Sequence, residues 1–163
     1  MAKLYMGFDA GTQSVKVAVY DENFNPVASH SLPTTLHYPQ PGWVQMNIDE
    51  FLNITVECMK KTVEAIKGKG YSPSDIAAVM GDGIICGICG VDENGKAVTP
   101  YINYLDSRTQ ADVDAINAKN LDIWGRETGN PEANCMFPAM FARWFLANSE
   151  DFRKKGVKFV HNA

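Results

Sequence analysis

The apolar positions in the first part of the chain recur at a period of two. Lys3 to Phe8 is short, apolar and β-compatible, and Val15, Val17 and Val19 alternate with Lys16, Ala18 and Tyr20. This pattern predicts strands at about 3–9, 14–20 and 26–33, joined by a tight connection from Asp9 to Ser14 and by a turn from Asp21 to Pro26. Pro33 to Asn47, rich in Pro and Gly, reads as irregular. The period then changes. Phe51, Leu52, Val56, Met59, Val63 and Ile66 stand near helical spacing, which predicts a helix capped by Asp49 and ended near Lys67 by Gly68-Lys69-Gly70. Ile76 to Met80 reads as a buried strand after a crossover helix, and Ile84 to Val91 as another, turned by Asp92-Glu93-Asn94-Gly95. Helices are expected at about 107–118, 121–127, 137–147 and 150–155, with Phe137, Phe141, Trp144 and Phe145 as core. After a break at Lys154-Lys155-Gly156, a short β-like run begins at Val157.

Three antiparallel meander strands, extended by crossover strands with flanking helices, suit an α/β fold of the ribonuclease-H-like type. The connection between the first two strands carries more chemistry than a turn needs. Asp9, Gly11, Thr12, Gln13 and Ser14 supply an acid, a glycine, two hydroxyls and an amide, and Lys16 adds a cation just beyond. Such a loop can bind a metal-bound polyphosphate. Gly11 lets the backbone approach a phosphate, Thr12 and Ser14 add donors, Lys16 adds charge, and Asp9 can hold Mg²⁺ through water. A plain hairpin whose Asp and Ser/Thr groups bond their own backbone fits the same spacing.

Length and charge narrow the partner. The chain has 163 residues, 45% hydrophobic and 21% charged, which supports one ordinary core. A net charge of −4 and a pI near 5.3 give no basic field for nucleic acid or a membrane surface, so a small molecule is the expected partner. No apolar run reaches transmembrane length, and Met1-Ala2-Lys3 leads into a strand without a signal-peptide core, so a cytoplasmic protein is expected.

Asp9-x-Gly11-Thr12-x-Ser14-x-Lys16, followed by Asp21, resembles the first phosphate motif of the FGGY carbohydrate kinases, a branch of the actin-like ATPase superfamily. Three further segments agree in order. Pro41-Gly42-Trp43-Val44-Gln45 is similar to the family's Gly-Trp-x-Glu, with Gln45 in place of Glu. Tyr104-Leu105-Asp106-Ser107-Arg108 resembles its Trp-x-Asp-x-Arg, with Tyr104 in place of Trp, and Thr128-Gly129-Asn130 with Pro138 to Trp144 resembles its Thr-Gly segment and following helix.

The resemblance implies an ATP- and Mg²⁺-dependent kinase acting on a sugar or polyol, built from two actin-like domains. Residues 1–163 would be the N-terminal portion of the first domain, with the general base downstream and no catalysis by this portion alone. A homodimer stays open. Asp9 would organise Mg²⁺, and Thr12, Gln13, Ser14 and Lys16 would hold ATP phosphates. Ile85, Cys86 and Tyr104 would border the sugar, while Asp106 and Arg108 would bond its hydroxyls or each other; Asp106 also suits a helix cap. At Ile85 and Cys86, xylulokinase-like members often place Met-His and glycerol kinases Arg-Glu. Neither residue here reproduces those hydrogen bonds, which disfavours glycerol and leaves a pentulose such as xylulose favoured. A kinase of a sugar-like signalling molecule and a non-catalytic actin-like nucleotide-binding or scaffolding module are the alternatives.

Other motifs carry less. Gly81-x-Gly83 is followed by Gly87 and a β-like run, not by the helix that a dinucleotide loop opens. Cys86 and Cys89, with Cys58 and Cys135 remote, lack a helix N-terminus or further zinc ligands and read as reduced structural thiols.

Overall fold

The computed structural model describes residues 3–153 and 157–161. In chain order the elements are β1 (Leu4–Ala10), β2 (Ser14–Tyr20), β3 (Pro26–Pro33), β4 (Gln45–Met46), α1 (Ile48–Lys67), β5 (Ile76–Gly83), β6 (Cys89–Val91) and β7 (Tyr101–Ile102). There follow α2 (Gln110–Asn117), α3 (Pro138–Asn148), α4 (Glu150–Arg153) and β8 (Lys158–Val160). They form two compact units, one of residues up to 36 with 49–84, the other of 37–48 with the chain from 85 onward.

In the first unit the sheet order is β3-β2-β1-β5, with β1–β2 and β2–β3 antiparallel and β5 parallel to β1. The α/β meander expected from the sequence is present. Alternation puts Leu4, Met6, Val15, Val17, Val19 and Val27 on one face, where they pack with Cys58 and Ile66 of α1. Each such side chain contributes about 1.5–3 kcal/mol on burial. Of the expected helix stripe, Phe51, Met59, Val63 and Ile66 pack in this core. Leu52 and Val56 are exposed, while Ile54, Cys58 and Thr62 face the sheet, the Thr62 hydroxyl donating to the Cys58 carbonyl at 2.9 Å. The helix also starts at Ile48, so Asp49 lies inside the first turn, where its charge suits the helix dipole. Gly70, at φ 87°, ends the helix as expected.

β5 corrects the expectation of a buried strand. It runs on to Gly83 and is largely exposed, with Val79 at 56% and Met80 at 80% on opposite faces, as the outermost described strand of this sheet, beside β1. Gly81 pairs with Phe8 across the ladder, and a Cβ at Gly81 would sit 2.1 Å from the Phe8 ring.

In the second unit β4 pairs antiparallel with β7, Ile88 bridges Ile102, and β6 pairs with β8. The strand expected from Ile84 to Val91 contracts to Cys89–Val91, because Cys86 adopts a left-handed φ of 55° that breaks the extended run. The helix expected at 107 begins at Gln110, and that expected at 121–127 is a single π turn, Trp124–Thr128, closed by Gly129 at φ 73°. Phe141 and Phe145 are buried with Ile88 and Ile102, and Trp144 packs at their margin. Phe137 packs in a second cluster, around Val113, Ala133 and Met140. The break at 154–156 lies outside the described residues. All four cysteines are free. Among the described residues no helix is long and apolar enough to cross a membrane.

The Phe8–Gly81 packing is testable by denaturant unfolding. Gly81→Ala should cost about 1–3 kcal/mol in the native protein, as overpacking does. In a Phe8→Ala background the same change should be close to neutral, whereas strictly additive costs would show that the ring does not rest on Gly81.

Candidate functional site

The hairpin of the first unit is built around Asp9. Register pairs Asp9 with Lys16, whose Nζ lies 3.3 Å from Oδ2, and both side chains remain about half exposed. Such a pair is worth about 1 kcal/mol at most and exchanges partners readily. The Gly11 N–H closes the turn onto the Ser14 carbonyl at 3.1 Å. A Cβ at Gly11 would lie 2.9 Å from that carbonyl oxygen and 3.4 Å from each Asp9 carboxylate oxygen, so glycine is what lets the loop fold back on the acid. Thr34 ties the loop from behind: its N–H donates to the Gln13 carbonyl at 3.1 Å and its hydroxyl to the Thr12 carbonyl. Because the peptide plane is trans, fixing the Thr12 carbonyl on Thr34 turns the Gln13 N–H to the opposite side.

β5 adds a residue that the sequence reading did not single out. The parallel register sets Asp82 beside Asp9, and its Oδ1 accepts the Gly83 N–H at 2.7 Å. Only strand register brings these acids together, so no local spacing could have marked Asp82. Among the described residues no group of three or more His, Cys, Asp or Glu forms a metal cage. Mg²⁺ needs no such cage, since it keeps several waters and shares its coordination with phosphates, and Asp9 and Asp82 offer the one or two carboxylates it would take.

The second unit divides the expected substrate residues. Ile88 and Ile102 exchange N–H···O bonds at 2.9 and 3.0 Å. Ile85 and Cys86 precede that antiparallel bridge and Tyr104 follows it, so all three lie at the same end of the pair. Ile85 is 65% exposed and Tyr104 39%.

Asp106 and Arg108 are instead turned inward, their side chains 0% and 2% exposed. Asp106 Oδ2 accepts the Val44 N–H at 2.6 Å and Arg108 Nη2 at 2.9 Å, while Oδ1 accepts the Arg108 N–H and Nε at 2.8 and 2.9 Å. Arg108 Nη2 also donates to Gln45 Oε1 at 3.0 Å. The guanidinium lies 4.0 Å from the Trp43 ring centroid and 5.0 Å from that of Trp144, two rings set edge to face at 5.2 Å. Of the two roles the sequence left open, bonding hydroxyls or each other, the geometry has them bonding each other. Nor does Asp106 cap α2, which begins four residues later; it closes a turn onto the Arg108 N–H.

Residues 4–162 match the N-terminal domain of the FGGY family of carbohydrate kinases. The chain belongs to this family. A probable glycerol kinase of Caenorhabditis elegans is 29% identical over 157 residues, covering 93% of this chain and 31% of the relative. The crystal structure of Plasmodium falciparum glycerol kinase with ADP has a TM-score of 0.84 at 23% identity, covering 98% of this chain and 32% of that one. Xylulose kinase from Rhodospirillum rubrum has a TM-score of 0.81 at 21% identity, covering 92% and 30%. At these identities the structures share the actin-like fold with this FGGY domain. The domain spans about a third of the length of the curated relatives it matches.

Two thiols of the FGGY domain are buried, and burial pushes Cys58 up and Cys89 up to about 11. A thiol held neutral in this way stabilises the fold fully below its ordinary value of 9.0, and that contribution is lost as pH rises toward 11. Urea unfolding from pH 8 to 10.5 should therefore show a steeper loss of stability in the native protein than in Cys89→Ala. Parallel curves would mean that Cys89 ionises as freely folded as unfolded.

Proposed function

We propose that this domain is the N-terminal portion of an ATP-dependent kinase that phosphorylates a hydroxyl of a sugar or polyol in the cytoplasm. The observation that carries the proposal is the hairpin: a glycine-closed turn beside Asp9, tied from behind by Thr34, with Lys16 paired loosely to the acid. Thr12, Gln13 and Ser14 hold the phosphates, and Lys16 leaves Asp9 to meet them. Asp9, with Asp82 beside it, would hold Mg²⁺ through water. Bound ATP supplies the phosphoryl group, and transfer is mainly positioning and charge neutralisation. A general base from the part of the kinase beyond this domain accepts the hydroxyl proton.

Ile85, Cys86 and Tyr104 form the sugar side, the Tyr104 ring offering an apolar face for a carbon skeleton. Ile85 and Cys86 lack the Arg-Glu pair of glycerol kinases, which disfavours glycerol, and a pentulose such as xylulose is the first reading. Glycerol is the second reading, favoured by the names of relatives such as the Caenorhabditis elegans protein.

Coupled ADP release by the full-length protein, assayed with pentuloses, hexoses and glycerol, tests the proposal. Sugar-dependent turnover should appear, and Asp9→Asn should lower kcat about 100-fold or more with little change in Tm. Near-normal turnover in Asp9→Asn would reduce the loop to a plain hairpin. The 163-residue domain alone should lack turnover on the order of 1 s⁻¹; such turnover would place the base within it.

A further inference from the structure

We infer that Asp106, Arg108 and Gln45 are positioning residues that fix Tyr104 as a rigid platform and do not themselves touch substrate. The inference rests on the proposed reading of Tyr104 as the sugar-facing ring. Tyr104 sits in a turn held on both sides. Before it, Asn103 is fully buried, its Oδ1 accepting the Leu105 N–H and its carbonyl the Asp106 N–H, both at 3.0 Å. After it, Asp106 is locked by the Val44 N–H and by three donors of Arg108. The side chains this turn leaves outward at its tip are Tyr104, at 39%, and Leu105, at 42%.

A buried ion pair is a poor way to gain stability, because desolvating both charges offsets most of their attraction. What a bidentate guanidinium–carboxylate pair supplies is direction. Here the fork joins two segments. Arg108 reaches Gln45 of β4 with one nitrogen and Asp106 with two, while its guanidinium carbon lies 4.0 and 5.0 Å from the ring centroids of Trp43 and Trp144. Since β4 is paired with β7, which leads directly into Asn103, the latch fixes the turn to the strand pair that carries it. Lysine in place of Arg108 keeps the charge but not the fork or the stacking surface.

Steady-state kinetics of the full-length protein, with sugar and ATP varied separately, tests this in four variants. Tyr104→Ala should lower kcat/KM for the preferred sugar and leave KM for ATP within about twofold. Arg108→Lys should lower sugar kcat/KM about 10- to 100-fold with the same indifference to ATP, as expected for a reacting group displaced by about an ångström. Gln45→Met, which removes only the acceptor, should lose about 3- to 10-fold on the same scale, and Gln45→Glu, which keeps an acceptor, should stay near the parent.

If Tyr104→Ala leaves sugar kinetics unchanged, the platform reading fails and this inference with it. If Tyr104→Ala is impaired while Arg108→Lys keeps the near-UV dichroism of Trp43 and Trp144 and normal sugar kinetics, the inference alone is overturned. Equal losses toward sugar and ATP would also overturn it, since a merely structural role would act on both. Should Arg108→Lys not fold, the Gln45 pair decides by the same criteria: a loss in Gln45→Met that Gln45→Glu restores supports positioning, and unchanged kinetics in both overturns it.

Discussion

The chemistry of the first unit depends on the pairing of β1 along both of its edges. Leu4 and Met6 must enter the core against α1, and a strand alternates, so Gly7 and Asp9 are carried to the opposite face. The ladders then decide Asp9's neighbours: Lys16 on the antiparallel side and Asp82 on the parallel side. A slip of one residue in either ladder would send a core side chain outward and the acid inward. Hydrophobic burial therefore sets the position of a polar group that takes no part in the core.

Two of the domain's Asp–basic pairs, Asp9–Lys16 and Asp106–Arg108, have opposite characters. Asp9–Lys16 is exposed, single-contact and long at 3.3 Å, so water, a cation or a phosphate can replace either partner at small cost. Asp106–Arg108 is buried, multiply bonded and set beside two indoles, and removing one partner would strand the other at a cost of about 3–5 kcal/mol. An exchangeable pair suits a binding loop. A fixed pair suits a frame.

Much of this organisation was legible in the sequence, and the failures have specific causes. The meander was readable because Val15, Val17 and Val19 alternate cleanly and the turn chemistry at Asp21 is local. The residues of the hairpin were readable for the same reason. β5 was misjudged because an apolar run does not reveal whether anything covers the faces of its strand. Leu52 and Val56 satisfied a helical count yet lie off the buried stripe, since apolar character alone does not mark the face. Asp106 and Arg108 were placed in the right segment. Their inward direction follows from contacts with Trp43, Val44 and Gln45, some sixty positions away, which no local pattern contains.

The central claim is that the loop between β1 and β2 holds the phosphates of a nucleotide. Amide hydrogen exchange of the full-length protein, followed by mass spectrometry with and without ADP and Mg²⁺, addresses it most directly. The account predicts slower exchange in peptides covering Asp9–Lys16 when both are present, and a smaller change with ADP alone. Unchanged exchange across these residues, with protection appearing elsewhere at saturating nucleotide, would contradict it.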